Sequence, residues 1–306
     1  MNVDVVIVTY NRLEKLKKAI ACYENQTMTF RNIIIVNNHS NDGTFEYLEN
    51  WKNMEAPFAK HVINTEENLG GSGGFYTGQK YAMALNPDWI YLADDDAYAE
   101  PDMMEQFYKF CDTHDVNKVS AICGAVYNME GKISIIHRGT HKVENNKYIR
   151  TSCPEDCYDK EFFKIDCLSY VCSFLKADAI EKVGCVNPKY FIYSDDTEHS
   201  VRLSKVGDII CVPHIVVCHE DVVVADVNNH VGCSWKEFYA IRNNCHMLKK
   251  HYFKSAVDRT LYMLKQCKKA GYTTTHKKLI KTALRDAWLG ILGKHKIYKP
   301  GWSEKL

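Results

Sequence analysis

"DWIYLADDD" (residues 88–96) runs apolar and aromatic side chains straight into three consecutive carboxylates. Trp89 to Ala93 read as a buried strand, and Asp94, Asp95 and Asp96 stand at its carboxyl end. Adjacent like charges repel, so their placement at the end of a buried strand calls for something that offsets them.

Working outward, the neighbouring segments repeat the arrangement. "VDVVIVTY" (3–10), "NIIIVNN" (32–38) and "KHVINT" (60–65) are further strands, rich in β-branched residues. A helix follows each. "NRLEKLKKAIACYEN" carries Leu13, Leu16, Ile20 and Tyr23 on one stripe, and "DGTFEYLENW" has Asp42 placed as an N-cap. A glycine-rich turn leads into a helix through "FYTGQKYAMAL". The segment after strand four starts its helix at Pro101, where a missing N–H costs nothing. Four strand–helix alternations with short links predict a parallel sheet covered on both faces.

Ligands of open parallel sheets bind beyond the carboxyl ends of the strands. Here those ends read "TYNR", "NNHSNDG", "NTEENLGGSGG" and "ADDDA", so all four should converge on one site. After about residue 118 short strands and turns predict a smaller antiparallel or mixed part. "DIICVPHIVVCHED" reads as a strand pair or bent strand. From Trp235 onward the chain reads mostly as helix, giving expected regions of 1–235 and 236–306.

The 306 residues, 46% apolar and 25% charged, suit an ordinary globular chain. No basic leader precedes the first strand, and the apolar run near 209–225 is broken by His214, His219, Glu220 and Asp221. Neither a signal peptide nor a membrane span is expected, and the expected location is cytoplasmic. Thirteen cysteines include no C-x-x-C pair, which argues for free thiols rather than a zinc knuckle. The net charge of +1 hides an asymmetry. Residues 236–306 hold 17 Lys and Arg against 4 Asp and Glu. A basic tail on an acidic body suggests an anionic partner, with peripheral membrane contact, a homo-oligomer contact or plain packing on the body as the alternatives; nothing points to nucleic acid.

Hard divalent cations take carboxylate oxygens, and the D-x-D spacing of Asp94 and Asp96 suits one shared Mn2+ or Mg2+. His219, in "CHED", is a candidate third ligand. Asp95 alternates away, toward a donor sugar or nearby backbone. A second acidic cluster, "YSDDTEHSVRL" (193–203), puts Asp195, Asp196 and Glu198 at a helix start. One such carboxylate can cap while another acts as a general base. "ENLGGSGGF" (67–75) lacks the Lys-Ser/Thr of a phosphate loop and reads equally as a tight turn.

In order along residues 3–245, "VIVTYNR", "VNNHSNDGT", "ENLGGSGGF", "ADDDA", "YSDDTEHSVRL", "HED" and "WKEFYAIRNN" resemble glycosyltransferase family 2. The subset they most resemble is the bacterial galactofuranosyltransferases and related rhamnosyltransferases. The resemblance implies an α/β GT-A nucleotide-sugar transferase fold, with a mostly parallel sheet, a smaller mixed β part and a C-terminal helical appendage. It implies metal-dependent, inverting transfer from a UDP- or dTDP-linked sugar to a glycan or lipid-linked acceptor of a cell-surface polysaccharide. UDP-galactofuranose is the first expectation for the donor and dTDP-rhamnose the second; a sugar-phosphate nucleotidyltransferase is the alternative outside the class. On this resemblance Thr9, Tyr10, Arg12 and Asn38 line the nucleoside pocket. Asn68, Gly70 and Gly71 hold the nucleotide sugar together with Asp95, and Arg242 lies near the diphosphate. Asp94, Asp96 and His219 take the metal. Asp196 is the base with Asp195 supporting, and Glu198 and Trp235 face the acceptor. Asn38 stands where many relatives carry an aspartate facing the base.

Overall fold

The computed structural model describes residues 1–220, 233–269 and 271–304. Asp221, the last residue of the "HED" motif, lies outside them. In chain order the elements are β1 (Val3–Thr9), α1 (Leu13–Glu24), β2 (Asn32–Asn37), α2 (Thr44–Trp51), β3 (Ala59–Asn64), α3 (Gly70–Ala84), β4 (Trp89–Asp94), β5 (Ala97–Ala99) and α4 (Met103–Thr113). Then come β6 (Val119–Asn128), β7 (Arg138–Glu144), β8 (Lys147–Ser152), β9 (Phe163–Ile165), β10 (Cys167–Leu168), β11 (Ser173–Lys176) and α5 (Ala177–Val183). The chain closes with α6 (Asp195–Leu203), β12 (Asp208–His219), α7 (Trp235–His251), α8 (Phe253–Lys269) and α9 (Thr274–Leu289).

The large sheet runs β3-β2-β1-β4-β11-β6-β12-β5, with β9 beside β12. Its first four strands are parallel, and their register aligns the carboxyl ends. Asn37 lies opposite both Thr9 and Asn64, and Asp94 opposite Val8. The segments after residue 118 divide between two sheets. β6, β11 and β12 extend the large sheet, with β11 antiparallel between β4 and β6. A smaller sheet, β10-β7-β8, stands apart. β12 is a single strand whose register slips between Val212 and Val216. That bulge takes up Pro213, which has no N–H for a central ladder.

Burial follows the pattern of the sequence. β1, β2 and β4 are covered on both faces, with Val5, Ile7, Ile33, Ile35 and Tyr91 in one core and Val6, Val8, Ile34 and Leu92 in the other. The C-terminal helices form a third core with the segment before α6, in which Phe191 packs among Phe238, Tyr239, Leu284 and Ala287.

The glycine run differs from expectation. It is not a turn before a helix but the first turns of α3 itself. Gly74 and Gly78 share one helix face and lie against β1, where a Cβ would overlap Val8 and Val6 respectively. The glycines let helix and sheet approach closely. Among them only Gly70 has a positive φ, +73°.

Candidate functional site

Asp94 ends β4, and the chain turns at once into β5, which pairs antiparallel with β12. That register sets His219 opposite Ala97, beside the acidic turn. His219 Nε2 lies 3.2 Å from Asp96 Oδ1. Asp94, Asp96 and His219 each offer a ligand atom, all within 4.8 Å of one another. Burial and the neighbouring Asp96 push Asp94 up to about 7. Burial would raise Asp96 as well, but His219, Arg12 and Lys15 outweigh it and hold that carboxyl low. Carboxylate oxygens with one imidazole are a donor set that fits Mn2+ or Mg2+.

Asp95 is a clamp. Its carboxylate accepts from Thr9 Oγ1 at 2.8 Å and from Arg12 Nη1 at 3.0 Å. It therefore ties the ends of β1 and β4 together instead of facing a sugar, and the Thr9 hydroxyl is used in the same bond. Arg12 also donates to Asp96 at 2.7 Å. Lys15, one turn further along α1 and not singled out from the sequence, reaches Asp96 (3.5 Å) and Glu220 (2.7 Å). Its i, i+3 spacing from Arg12 was the available signal. Tyr10 is exposed at the strand end.

Asn38 departs from its expected role. It is buried, and its amide is fully engaged. Nδ2 donates to Gly70 O (3.0 Å) and Asn68 Oδ1 (3.3 Å), while Oδ1 accepts from Leu69 N (2.9 Å) and Thr65 Oγ1 (3.3 Å). Asn38 pins the loop before α3 and has no group left over for a base. Asn68 also caps Gly70 N–H at 2.8 Å, and Ser72 N–H donates to Phe191 O at 3.2 Å. Gly70 itself meets the Phe191 carbonyl so closely that a Cβ would overlap it. Asn68 and Gly70 thus serve the loop, whereas Gly71 borders open space.

The stretch leading into α6 is strained. Phe191, Tyr193 and Ser194 have φ of 68°, 66° and 63°. Such conformations cost non-glycine residues energy and persist only where the surroundings enforce them. The enforcement comes from α7. Asn243 Nδ2 donates to the carbonyls of Tyr190 (2.8 Å), Ile192 (2.8 Å) and Tyr193 (3.0 Å). Arg242, completely buried, donates to Tyr190 O (3.2 Å), Gly293 O (2.7 Å) and Asn243 Oδ1 (2.9 Å) and stacks on Tyr239. Arg242 is therefore an internal brace and does not reach toward a diphosphate. Trp235 likewise packs edge-on against Phe191 and Tyr239, and its backbone N–H donates to Trp302 O. It is not among the residues lining the cleft described next.

The braced stretch sets two carboxylates in different surroundings. Burial, then the adjacent Asp196, push Asp195 above the usual carboxylate range, and the buried Ser72 hydroxyl offsets part of this. Asp94 is near enough to add to the rise. Asp196 accepts from Thr197 N (2.6 Å) and lines a cleft of about 1140 Å³. Arg150, Tyr193, Glu237, Arg259 and Tyr262 also line this cleft, between the β7–β8 hairpin, α7 and α8. Neither Asp94, Asp96 nor Asp195 lines it; Asp196 borders the cleft, while Asp195 is near enough to Asp94 to feel its charge. The hairpin and α8 contributions carry no local motif. Glu198 faces neither side. Fully buried, it accepts from Arg202 Nε, Lys250 Nζ and His251 Nε2, each at 2.9 Å. Burial would raise its pKa, but these partners hold it well below the usual range. It locks α6 to α7 and does not contact the cleft.

The fold is shared with nucleotide-sugar enzymes. The chain overlays Staphylococcus aureus TarS residues 1–349 in complex with UDP (TM-score 0.55, 13% identity, 95% of this chain and 78% of that one). It also overlays GalNAc-T7 with UDP, GalNAc and Mn2+ (TM-score 0.62, 13% identity, 95% and 56%). Residues 4–184 match the Glycosyl transferase family 2 model, and the chain belongs to that family. It is similar to galactofuranosyltransferase GlfT1 of Mycolicibacterium smegmatis, 26% identical over 211 residues. Against GlfT1 of Mycobacterium tuberculosis it is 34% identical over 99 residues. The alignments cover 67% and 32% of this chain, and 66% and 32% of those relatives' own lengths.

Proposed function

We propose that this protein is an inverting, divalent-cation-dependent glycosyltransferase that moves galactofuranose from UDP-galactofuranose to a hydroxyl of a glycan or lipid-linked glycan. The observation that carries the reading is the pairing of two acidic groups across one site. They are the metal-type cluster of Asp94, Asp96 and His219 and the Asp195–Asp196 pair at a strained helix start, with Asp94 near enough to raise the Asp195 carboxyl. UDP in complex with TarS supports the nucleotide, and the GlfT1 relatives support the sugar.

Asp94, Asp96 and His219 would hold Mn2+ or Mg2+, whose charge offsets that of a leaving nucleoside diphosphate. Arg12 and Lys15 add positive charge at the same strand ends. Asp95 and Thr9 keep the acidic turn in place. An acceptor hydroxyl entering the Asp196 cleft gives its proton to that carboxylate as its oxygen bonds to the anomeric carbon. The bond from that carbon to the diphosphate oxygen breaks on the opposite face, which inverts the configuration. Asp196 is the better base because it borders the cleft, while Asp195 does not and feels the charge of Asp94.

A panel of nucleotide sugars tests this, first by thermal shift with and without Mn2+ and then by transfer. Ligands of the folded state raise the midpoint. The reading expects UDP-galactofuranose to stabilise most, more so with Mn2+, and to lose that gain in Asp94→Ala. A preference for dTDP-rhamnose would move the donor assignment. Stabilisation by a nucleoside triphosphate with a sugar phosphate, and by no nucleotide sugar, would overturn the class of reaction.

A further inference from the structure

One face of α8 carries a feature that the transfer reading does not use. Lys254, Val257, Leu261, Leu264 and Lys268 recur at three- and four-residue spacing, so they form one stripe along the helix. All five are exposed, and Phe253 and Leu261 present 59% and 62% of their surface. Lys265 stands beside the stripe and is also exposed. A second face of the helix, through Arg259, Tyr262 and Gln266, lines the cleft that Asp196 borders, and Asp258, which also lines it, sits at the edge of the stripe.

We propose that this stripe of α8 docks the protein on an anionic lipid bilayer surface. An apolar row about two turns long, ended and flanked by lysines, is the pattern of a helix lying in the interface plane. The apolar row enters the headgroup boundary and the lysines meet acidic headgroups. A second copy of the chain is the poorer occupant. Two such helices packed antiparallel about Leu261 would set Lys254 of each against Lys268 of the other, like charge on like. The surrounding charge agrees, since residues 236–306 hold 17 basic and 4 acidic residues. Docked this way, the mouth of the Asp196 cleft lies one helix-width from the membrane surface, about 10 Å.

The proposal is tested by co-sedimentation of the full chain with vesicles of phosphatidylcholine alone and with phosphatidylglycerol added. Binding is expected only with the acidic lipid, and it should fall as salt is raised. Each lysine removed should weaken partitioning about fivefold, so Lys254→Ser/Lys265→Ser/Lys268→Ser should lose on the order of 100-fold. Leu261→Ser should weaken it by about tenfold through lost apolar burial. Circular dichroism and a thermal melt of each variant verify folding, and vesicle binding is read independently of nucleotide binding and transfer, so failure here is separable from failure of the transferase reading. No binding, equal binding to neutral vesicles, or unchanged binding in the folded variants would overturn it. So would a dimer in sedimentation velocity that Leu261→Ser disperses.

Discussion

Asn243→Ala probes the link between the C-terminal helices and the carboxylates. The wild-type amide serves three carbonyls, that of Tyr190 buried and those of Ile192 and Tyr193 part-buried, and accepts from Arg242. Tyr190 O keeps its bond from Arg242, so the alanine variant leaves the carbonyls of Ile192 and Tyr193 without this donor. At about 1–1.5 kcal/mol each, with a smaller loss at Arg242, the cost is about 3 kcal/mol. For a chain of this size that lowers the melting midpoint by about 5 °C. The functional effect should exceed the stability effect. Phe191, Tyr193 and Ser194 each hold roughly 1–3 kcal/mol of backbone strain, comparable to the bonds removed. The stretch then relaxes, and an Asp196 displaced by about 1 Å costs on the order of 100-fold in kcat. UDP affinity should change little, because the acidic turn rests on β1, β4 and β12. Differential scanning fluorimetry, UDP titration and transfer assays well below the midpoint read the three quantities. A folded variant with turnover within threefold of wild type would refute the view that this brace positions the carboxylates.

Three further outcomes follow from the packing and charges. Glu198→Ala leaves Arg202 and His251 without their carboxylate and should cost about 2–4 kcal/mol, with Lys250 half-exposed and Arg202 keeping its carbonyl partners. Acceptor KM in the folded variant should be unchanged. Because the folded-state pKa of Glu198 is depressed, its contribution is present at neutral pH and fades as acid takes the solution below about 4.3, the ordinary glutamate value; the stability gap to the variant, followed by urea melts, should narrow there. Gly78→Ala forces a methyl into Val6 and should destabilise by about 1–3 kcal/mol, whereas Gly71→Ala, facing open space, should be neutral or gain up to about 1 kcal/mol. A pH–rate profile of transfer should rise toward a plateau near neutrality, since burial lifts the Asp195–Asp196 pair and the base must be ionised.

The parallel half of the molecule was legible because its signals are local. Continuous β-branched runs alternate with helical stripes, and the carboxylates fall where strands end. Asp195 and Asp196 at a helix start were legible for the same reason. What the sequence concealed lies in contacts between distant segments. His219 was named as a third ligand from its motif, but the antiparallel pairing of β5 with β12 that carries it to Asp96 was not legible. Glu198 looked like one more cleft carboxylate because Lys250 and His251, which neutralise it, lie on another helix. Arg242 was placed near the diphosphate on the resemblance of "WKEFYAIRNN" alone; its partners, like those of Asn243, are largely main-chain carbonyls that no side-chain pattern advertises. The glycines of α3 signalled close approach, but to Val6 and Val8 rather than to an anion.

The central claim is that Asp196 takes the acceptor proton while the Asp94–Asp96–His219 cluster grips the donor side. The most direct test is Asp196→Asn, comparing turnover with donor affinity in the presence of Mn2+. The account predicts UDP-sugar affinity within about twofold of wild type and transfer reduced 10²–10⁴-fold, the usual range for losing a general base. Full turnover in Asp196→Asn, with the large loss appearing instead in Asp195→Asn, would contradict it.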